Sequence, residues 1–239
     1  MKIEDQGIIL SQKHIQENML LLKILSKNNG ICTGMARKVR GKKAYDYQVG
    51  NLVKFERFAR LDNQLGVINC ERIESFCGKI IESKINLYSF KNLANIITSS
   101  FKEFDTHINI YYFLAEFLEL IDKISWLKYI NFELEILKNA GYSLQISKCA
   151  VHGAETEVLS YVSPKSGRAV CLNAAIGLES QLLALPHFVF AQTEPESAAE
   201  VNKALDLTEY FLKRYIWSKN FSNSILEDRL ILRNLIPNP

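Results

Sequence analysis

Long apolar runs are missing from this sequence. The longest apolar segment, Ile110 to Ile121, is interrupted by Glu116 and Glu119. It also falls short of the roughly 20 residues that a helix needs to cross a bilayer, so no membrane span is expected. The opening Met1-Lys2-Ile3-Glu4-Asp5 leads into no early apolar stretch, and no secretory signal is expected either. Cysteine is scarce. Cys32, Cys70, Cys77, Cys149 and Cys171 are odd in number and far apart, which does not fit a disulfide framework and suits a reducing cytoplasm. A phosphate-cradling glycine loop, a nucleophile elbow and an acidic metal cluster are also absent. His14, His107 and His187 have no acidic or nucleophilic companion at motif spacing. No enzyme is expected on these grounds, and no catalytic residue is assigned.

What is present divides in two. Of the 239 residues, 48% are hydrophobic and 23% charged, near the globular average and enough for one large core or two modest ones. Residues 1–80 carry 14 Lys+Arg against 8 Asp+Glu, a net +6, whereas residues 81–239 carry 15 against 18, a net −3. Such asymmetry suggests that the front half meets a polyanion. The plain alternative is that small domains differ by a few charges without consequence.

The first eighty residues hold seven glycines and no proline. Short apolar runs at Gly7–Leu10, Met19–Leu25, Ile31–Val39, Asn51–Leu61 and Leu65–Cys70 have strand length. Asn28-Asn29-Gly30 and Asp62-Asn63-Gln64 are the turn signals between them. Five short strands with tight turns predict a small barrel, of the OB type or the similar SH3-like type. From Lys79 to Ala140, 62 residues contain neither glycine nor proline, and the texture becomes helical. Ile110, Phe113, Leu114, Phe117, Leu118 and Ile121 recur at helical spacing, and Phe132 to Leu137 continue until Gly141. A loop-rich island follows at about 147–175. Thr193-x-x-Glu196 with Pro195 resembles a capping box, before a helical face of Val201, Leu205, Leu212 and Tyr215. The expected architecture is α+β: a barrel domain over 1–80, then a helical domain over 81–239 that carries a hairpin.

Two constellations bear on function. Arg37, Lys38, Arg40, Lys42 and Lys43 place five cations in seven residues, with Tyr45 and Tyr47 close behind. Several cations on one surface are what a phosphate backbone requires, because each neutralised phosphate releases a counterion. Nearby aromatics offer stacking platforms for unpaired bases. Set against a merely solvated loop, nucleic-acid contact is the favoured interpretation. The second constellation is Cys149-x-x-His152 and Cys171-x-x-Ala174, spaced like the paired ligands of a zinc hairpin. Cys149, His152 and Cys171 leave it one ligand short, so a metal-free hairpin with a buried thiol is favoured over bound zinc, and no cofactor is expected.

In order and spacing these pieces resemble the RecO family of bacterial recombination mediators. Gly7-Ile8-Ile9-Leu10, Asn29-Gly30-Ile31 through Arg40-Gly41, and Gly50-Asn51-Leu52-Val53 resemble that family's OB domain with its basic loop. Tyr129 to Tyr142 resembles the helix leading into its zinc hairpin. Leu144 to Cys149-Ala150-Val151-His152-Gly153, with Tyr161-Val162-Ser163-Pro164-Lys165-Ser166-Gly167-Arg168-Ala169-Val170, is similar to a proteobacterial variant whose four-cysteine site has decayed. Leu183 to Phe188 and the segment around Arg229-Leu230-Ile231 are compatible with its C-terminus. The resemblance implies an OB-fold followed by a helical domain, with the family's four zinc positions falling on Cys149, His152, Cys171 and Ala174. It also implies a cytoplasmic, nucleoid-associated DNA repair protein that binds single- and double-stranded DNA and anneals complementary strands. Its implied partners are RecR and single-stranded DNA-binding protein, and it would help RecA to load at gaps. A protein adaptor or an RNA-binding protein built on the same barrel is the alternative.

Overall fold

The computed structural model describes residues 2–37, 41–60, 64–153, 158–217 and 223–237. By internal contacts the chain divides into two compact units, Met1–Lys123 and Ile124–Pro239.

The first unit is built on five strands: β1 (Lys2–Gln16), β2 (Met19–Ser26), β3 (Gly30–Arg37), β4 (Asn51–Phe58) and β5 (Gly66–Ser75). They close into a barrel in the order β1-β2-β3-β5-β4, as the OB-type expectation required. Alternation fills its interior with Ile3, Ile9, Leu20, Leu22, Ile24, Cys32, Val53, Phe55, Ile68 and neighbours. β1 is far longer than the apolar run Gly7–Leu10. Its polar continuation pairs by backbone hydrogen bonds with β2 as far as Gln16 opposite Met19, and side-chain polarity does not reveal that. Val39 and Leu61, placed in strands by the sequence, and the turn residues Asp62 and Asn63 lie outside the described residues.

Four of the five junctions are antiparallel ladders; the closing junction, β3 with β5, is parallel and has two rungs, Gly34 opposite Gly66 and Met35 opposite Val67. The chains approach closely here. A Cβ on Gly34 would sit 2.8 Å from the Gly66 carbonyl oxygen, and one on Gly66 would sit 2.8 Å from that of Phe58. Arg57, 1% exposed, reinforces this seam. Its Nε donates to the Thr33 carbonyl at 3.0 Å and its Nη2 to the Gln64 carbonyl at 2.7 Å. Its guanidinium carbon lies 4.8 Å from the Phe104 ring centroid.

Three helices complete this unit: α1 (Cys77–Glu82), α2 (Lys84–Ser100) and α3 (Ile108–Glu119). The Ser83 side chain caps α2 by accepting from Asn86 N at 3.2 Å. α2 and α3 both pack against β1. Phe104 N donates to the Ile31 carbonyl at 3.1 Å. Ile8, Leu10, Leu25 and Ile31, which point away from the barrel interior by strand alternation, are thereby buried.

The second unit begins with α4 (Trp126–Asn139). It ends where Gly141 was expected to stop it, with Tyr142 N donating to the Leu137 carbonyl and Gly141 N to that of Lys138, the two bonds of a Schellman cap. The hairpin follows as β6 (Leu159–Val162) and β7 (Ala169–Cys171), with β8 (Leu183–Ala184) beside β6. After the short α5 (His187–Ala191) come α6 (Ala198–Tyr215) and α7 (Asn223–Leu235). The capping box expected at Thr193 and Glu196 is displaced by one helical turn. Ser197 is the N-cap, accepting from Glu200 N at 3.3 Å, and the Glu200 carboxylate accepts from Glu196 N at 2.8 Å. α4 packs on α6, and a buried cluster of polar groups crosses the helices. Arg229 of α7 donates to both oxygens of Glu133 on α4 at 2.6 and 2.9 Å, and to the Leu205 carbonyl and Thr208 on α6. Burial works against the Arg229 charge, but Glu133 outweighs it and holds the pKa above its ordinary value. No helix among the described residues is long and apolar enough to cross a membrane.

Candidate nucleic-acid interface and metal-binding cluster

The outer face of β1–β2–β3 is divided. One end is covered by the helices. At the other, paired residues of an antiparallel sheet share a face, so the register sets Lys13 beside Leu21 and Met35, Ser11 beside Lys23 and Thr33, and Met19 beside Arg37. Lys13 and Arg37 are exposed; Lys23, Met19, Leu21 and Met35 are half-buried. Three cations thus stand among apolar side chains on a partly exposed sheet face. That combination suits a single strand, with ammonium and guanidinium groups for phosphates and apolar surface for bases.

The basic run of the sequence is split by the fold. Arg37 ends β3 on that sheet face, while Lys38 and Arg40 lie outside the described residues. Lys42 and Lys43 sit exposed on a 3₁₀ turn, Gly41–Tyr47. They line a cleft of about 460 Å³ with Asp46, Cys70, Glu71 and Arg72. Two carboxylates in that lining oppose a phosphate, which makes the cleft a weaker polyanion site than the sheet face. The two tyrosines also part company. Tyr45 is exposed, but Tyr47 is 4% exposed and belongs to the barrel core, so it is no stacking platform. Lys13 and Lys23 escaped the sequence-based assignment because they are isolated in sequence. Only the strand register, which composition does not give, brings them beside Arg37.

In the second unit, the segment before the hairpin runs alongside β7. Gln145 N donates to the Gly167 carbonyl, Ala169 N to that of Gln145, and Ala150 N to that of Ala169. This pairing brings Cys149 against Cys171. The Gly153 N to Cys149 carbonyl bond then folds the chain back, so that His152 returns to the same point. The thiol sulphurs and a His152 ring nitrogen lie within 4.8 Å of one another, with Cys171 Sγ 3.4 Å from His152 Nδ1. Both cysteines are buried and His152 is exposed. Burial pushes the Cys149 thiol up, but backbone N–H groups of His152, Cys171 and Val151 and the Cys171 side chain outweigh it and bring it to about 7. Burial, aided by nearby carboxylates, pushes Cys32 and Cys70 up to about 12. An S₂N donor set of two buried thiols and an imidazole, drawn together within 4.8 Å, fits a thiophilic divalent ion. Ala174, at the fourth family position, lies in the 3₁₀ turn Asn173–Ala175 and has no donor to offer.

Comparison with known proteins divides the chain near residue 80, ahead of the boundary between the two compact units. Residues 1–76 match the family profile described as Recombination protein O N terminal, and residues 84–222 match Recombination protein O C terminal. The chain is similar to the DNA repair protein RecO of Rickettsia canadensis, 37% identical over 221 residues, covering 92% of this chain and 91% of the relative. The protein of that name from Rickettsia bellii is 36% identical over 218 residues, covering 91% and 90% of the two chains. That from Rickettsia akari is 36% identical over 221 residues, covering 92% and 93%.

Proposed function

The chain belongs to the RecO family of DNA repair proteins, and from that premise we propose that it acts as a non-catalytic mediator of recombinational repair. Its barrel holds single- and double-stranded DNA and lets complementary strands anneal. The observation that carries this reading is the partly exposed outer face of β1–β2–β3, where Lys13, Lys23 and Arg37 stand among Met19, Leu21 and Met35. Contacts of this type are salt-sensitive and indifferent to sequence. Lys42 and Lys43, exposed on the Gly41–Tyr47 turn, add further positive charge; Lys38 and Arg40 of the same basic run lie outside the described residues. The partners that suit this work are RecR and single-stranded DNA-binding protein, with RecA loading as the outcome, in the cytoplasm at the nucleoid. The domain limits we propose for the division of labour are 1–80 for DNA and 81–239 for the protein platform.

The test compares Lys13→Glu/Lys23→Glu/Arg37→Glu with Lys42→Glu/Lys43→Glu, using fluorescence anisotropy of a labelled oligothymidylate across a salt series. Each phosphate contact on a single strand contributes about 0.7 to the slope of log K against log salt, so the sheet-face triple should flatten it by about 2. The cleft double should change it less. A sheet-face triple that binds and anneals like the parent would refute the assignment. Unchanged DNA affinity with lost capture of RecR would make the barrel a protein adaptor instead. A preference for RNA of matched sequence would make it an RNA-binding protein.

A further inference from the structure

We propose that the second unit carries a single-stranded DNA site of its own, in a cleft beside the hairpin turn at 163–168. This goes beyond the reading above, which gives that unit the role of a protein platform.

Three observations converge on the cleft. The first is an aromatic stack that climbs from the core to the surface. Phe211 is buried, and the Tyr215 ring lies 6.2 Å from it, centroid to centroid, with the planes 16° apart. Tyr142 covers Tyr215 at 4.2 Å and 6°, and is itself 38% exposed. A flat ring backed by two others and open to solvent is a platform on which an unpaired base stacks. The second observation is charge. Lys148, Lys165, Arg168 and Arg214 are all exposed, and Arg214 Cζ stands 5.3 Å from the Tyr215 ring centroid. On the adjoining helices Glu209 is engaged by Lys213 and Arg233, and Glu135 by Lys138.

The third observation is that the cations sit on a fixed scaffold. Arg214 Nη1 donates to the Pro164 carbonyl at 2.8 Å and ties the turn to α6. Gly167 N donates to the Ser163 carbonyl, and Gln145 N to that of Gly167. A Cβ on Gly167 would stand 3.1 Å from Leu144, so the turn lies flush against the segment that leads away from Tyr142. A cleft of about 480 Å³ opens where the two meet, with Leu144, Ile146, Ser147, Lys148 and Arg168 in its lining. From Tyr142 to Lys148 the chain spans at most about 20 Å. That suits a short stretch of about four nucleotides, the low end for single-strand sites. Phosphates need cations and bases need apolar or aromatic surface, and the cleft offers both. One strand here and another on the barrel would place two strands on one chain, as annealing requires.

The test uses the full chain carrying Lys13→Glu/Lys23→Glu/Arg37→Glu, so that the second site is read with the barrel face disabled. An oligodeoxynucleotide with 5-iodouracil in place of thymine should cross-link on irradiation to Tyr142, as located by mass spectrometry of the digested protein. In that background Tyr142→Ala should weaken binding, read by fluorescence anisotropy, at least about fivefold, while Tyr142→Phe keeps the ring and the affinity. Lys148→Gln/Arg168→Gln should flatten the slope of log K against log salt by about 1.4, two contacts at about 0.7 each. With the barrel intact, Tyr142→Ala should slow the annealing of complementary oligonucleotides. Cross-links confined to the first unit, or a Tyr142→Ala variant that binds like its parent, would overturn the proposal and leave the barrel assignment standing. Annealing at the parent rate would overturn the two-strand role. Undiminished binding in the barrel triple, with Tyr142 cross-linked, would support this site and count against the barrel face instead.

Discussion

Replacing Arg229 by Met should cost the second unit about 3–5 kcal/mol, the usual consequence of leaving one member of a buried ion pair alone. Arg229 and Glu133 have side chains 1% and 0% exposed, so water cannot take over for the missing guanidinium. The loss goes beyond one pair. Arg229 also donates to the Leu205 carbonyl and Thr208 at 2.9 and 2.8 Å and to Glu209 at 3.1 Å, so the change removes its tie from α7 to α4 and leaves α7 held to α6 by Arg233 with Asp206 and Glu209. The chain provides its own reporter, because both of its tryptophans, Trp126 and Trp217, lie in this unit and are buried. In urea, their fluorescence midpoint should fall by about 2 M, taking a slope of 1–3 kcal/mol/M. Removing both charges with Arg229→Met/Glu133→Leu should recover most of the loss, since no charge is then stranded. A single variant within about 1 kcal/mol of the parent, or a double variant worse than the single, would refute the reasoning.

Two further predictions concern the barrel. Asp5 accepts from Gln6 N and Asn28 N, both at 2.8 Å, and from the Asn28, Asn29 and Ser26 side chains. Partial burial opposes its charge, but these donors outweigh it and lower the pKa. A folded pKa below the unfolded one contributes stability at neutral pH that is lost as pH falls, between about pH 5 and pH 2. Asp5→Asn should therefore lower the circular-dichroism melting temperature at neutral pH and hardly at all in acid; an equal loss at both would refute the assignment. Gly34→Val should cost about 1–3 kcal/mol of overpacking, because its Cβ would meet Ile68 Cγ1 at 2.6 Å and the Gly66 carbonyl oxygen at 2.8 Å. A variant as stable as the parent would show that the seam yields freely.

Much of this was legible in the residues themselves. Asn29-Gly30 marked the β2–β3 turn, the stripe from Ile110 to Ile121 marked α3, and Gly141 marked the end of α4, each because a local rule of backbone or periodicity suffices. Four things were not legible. The length of β1 depends on ladder bonds made by polar residues. The cap of α6 was misplaced because Thr193 and Ser197 both precede a glutamate by three, and only the fold chooses between them. Tyr47 differs from Tyr45 only in which side of a 3₁₀ turn faces the barrel core. Lys13 and Lys23 became part of the candidate surface through register, a property of two strands and not of either alone. The cysteine spacing singled out Cys149, His152 and Cys171, and their convergence within 4.8 Å depends on Gln145 and Ala150 pairing with the hairpin.

The two-rung seam between β3 and β5 has a consequence for the order in which the barrel assembles. Its hairpins join neighbours in sequence and need little loop closure, whereas the seam joins β3 to a strand beyond β4 and gains only two rungs in return. Closure is then expected to follow the local hairpins β1–β2–β3 and β4–β5, an order that φ-values at the seam would test. Strength added at Gly34, Gly66 or Arg57 will appear mainly in how slowly the barrel opens, and little in how fast it forms. The strand that carries Arg37 is one wall of that seam, so the lifetime of the closed barrel also sets how long the proposed DNA-binding face persists intact.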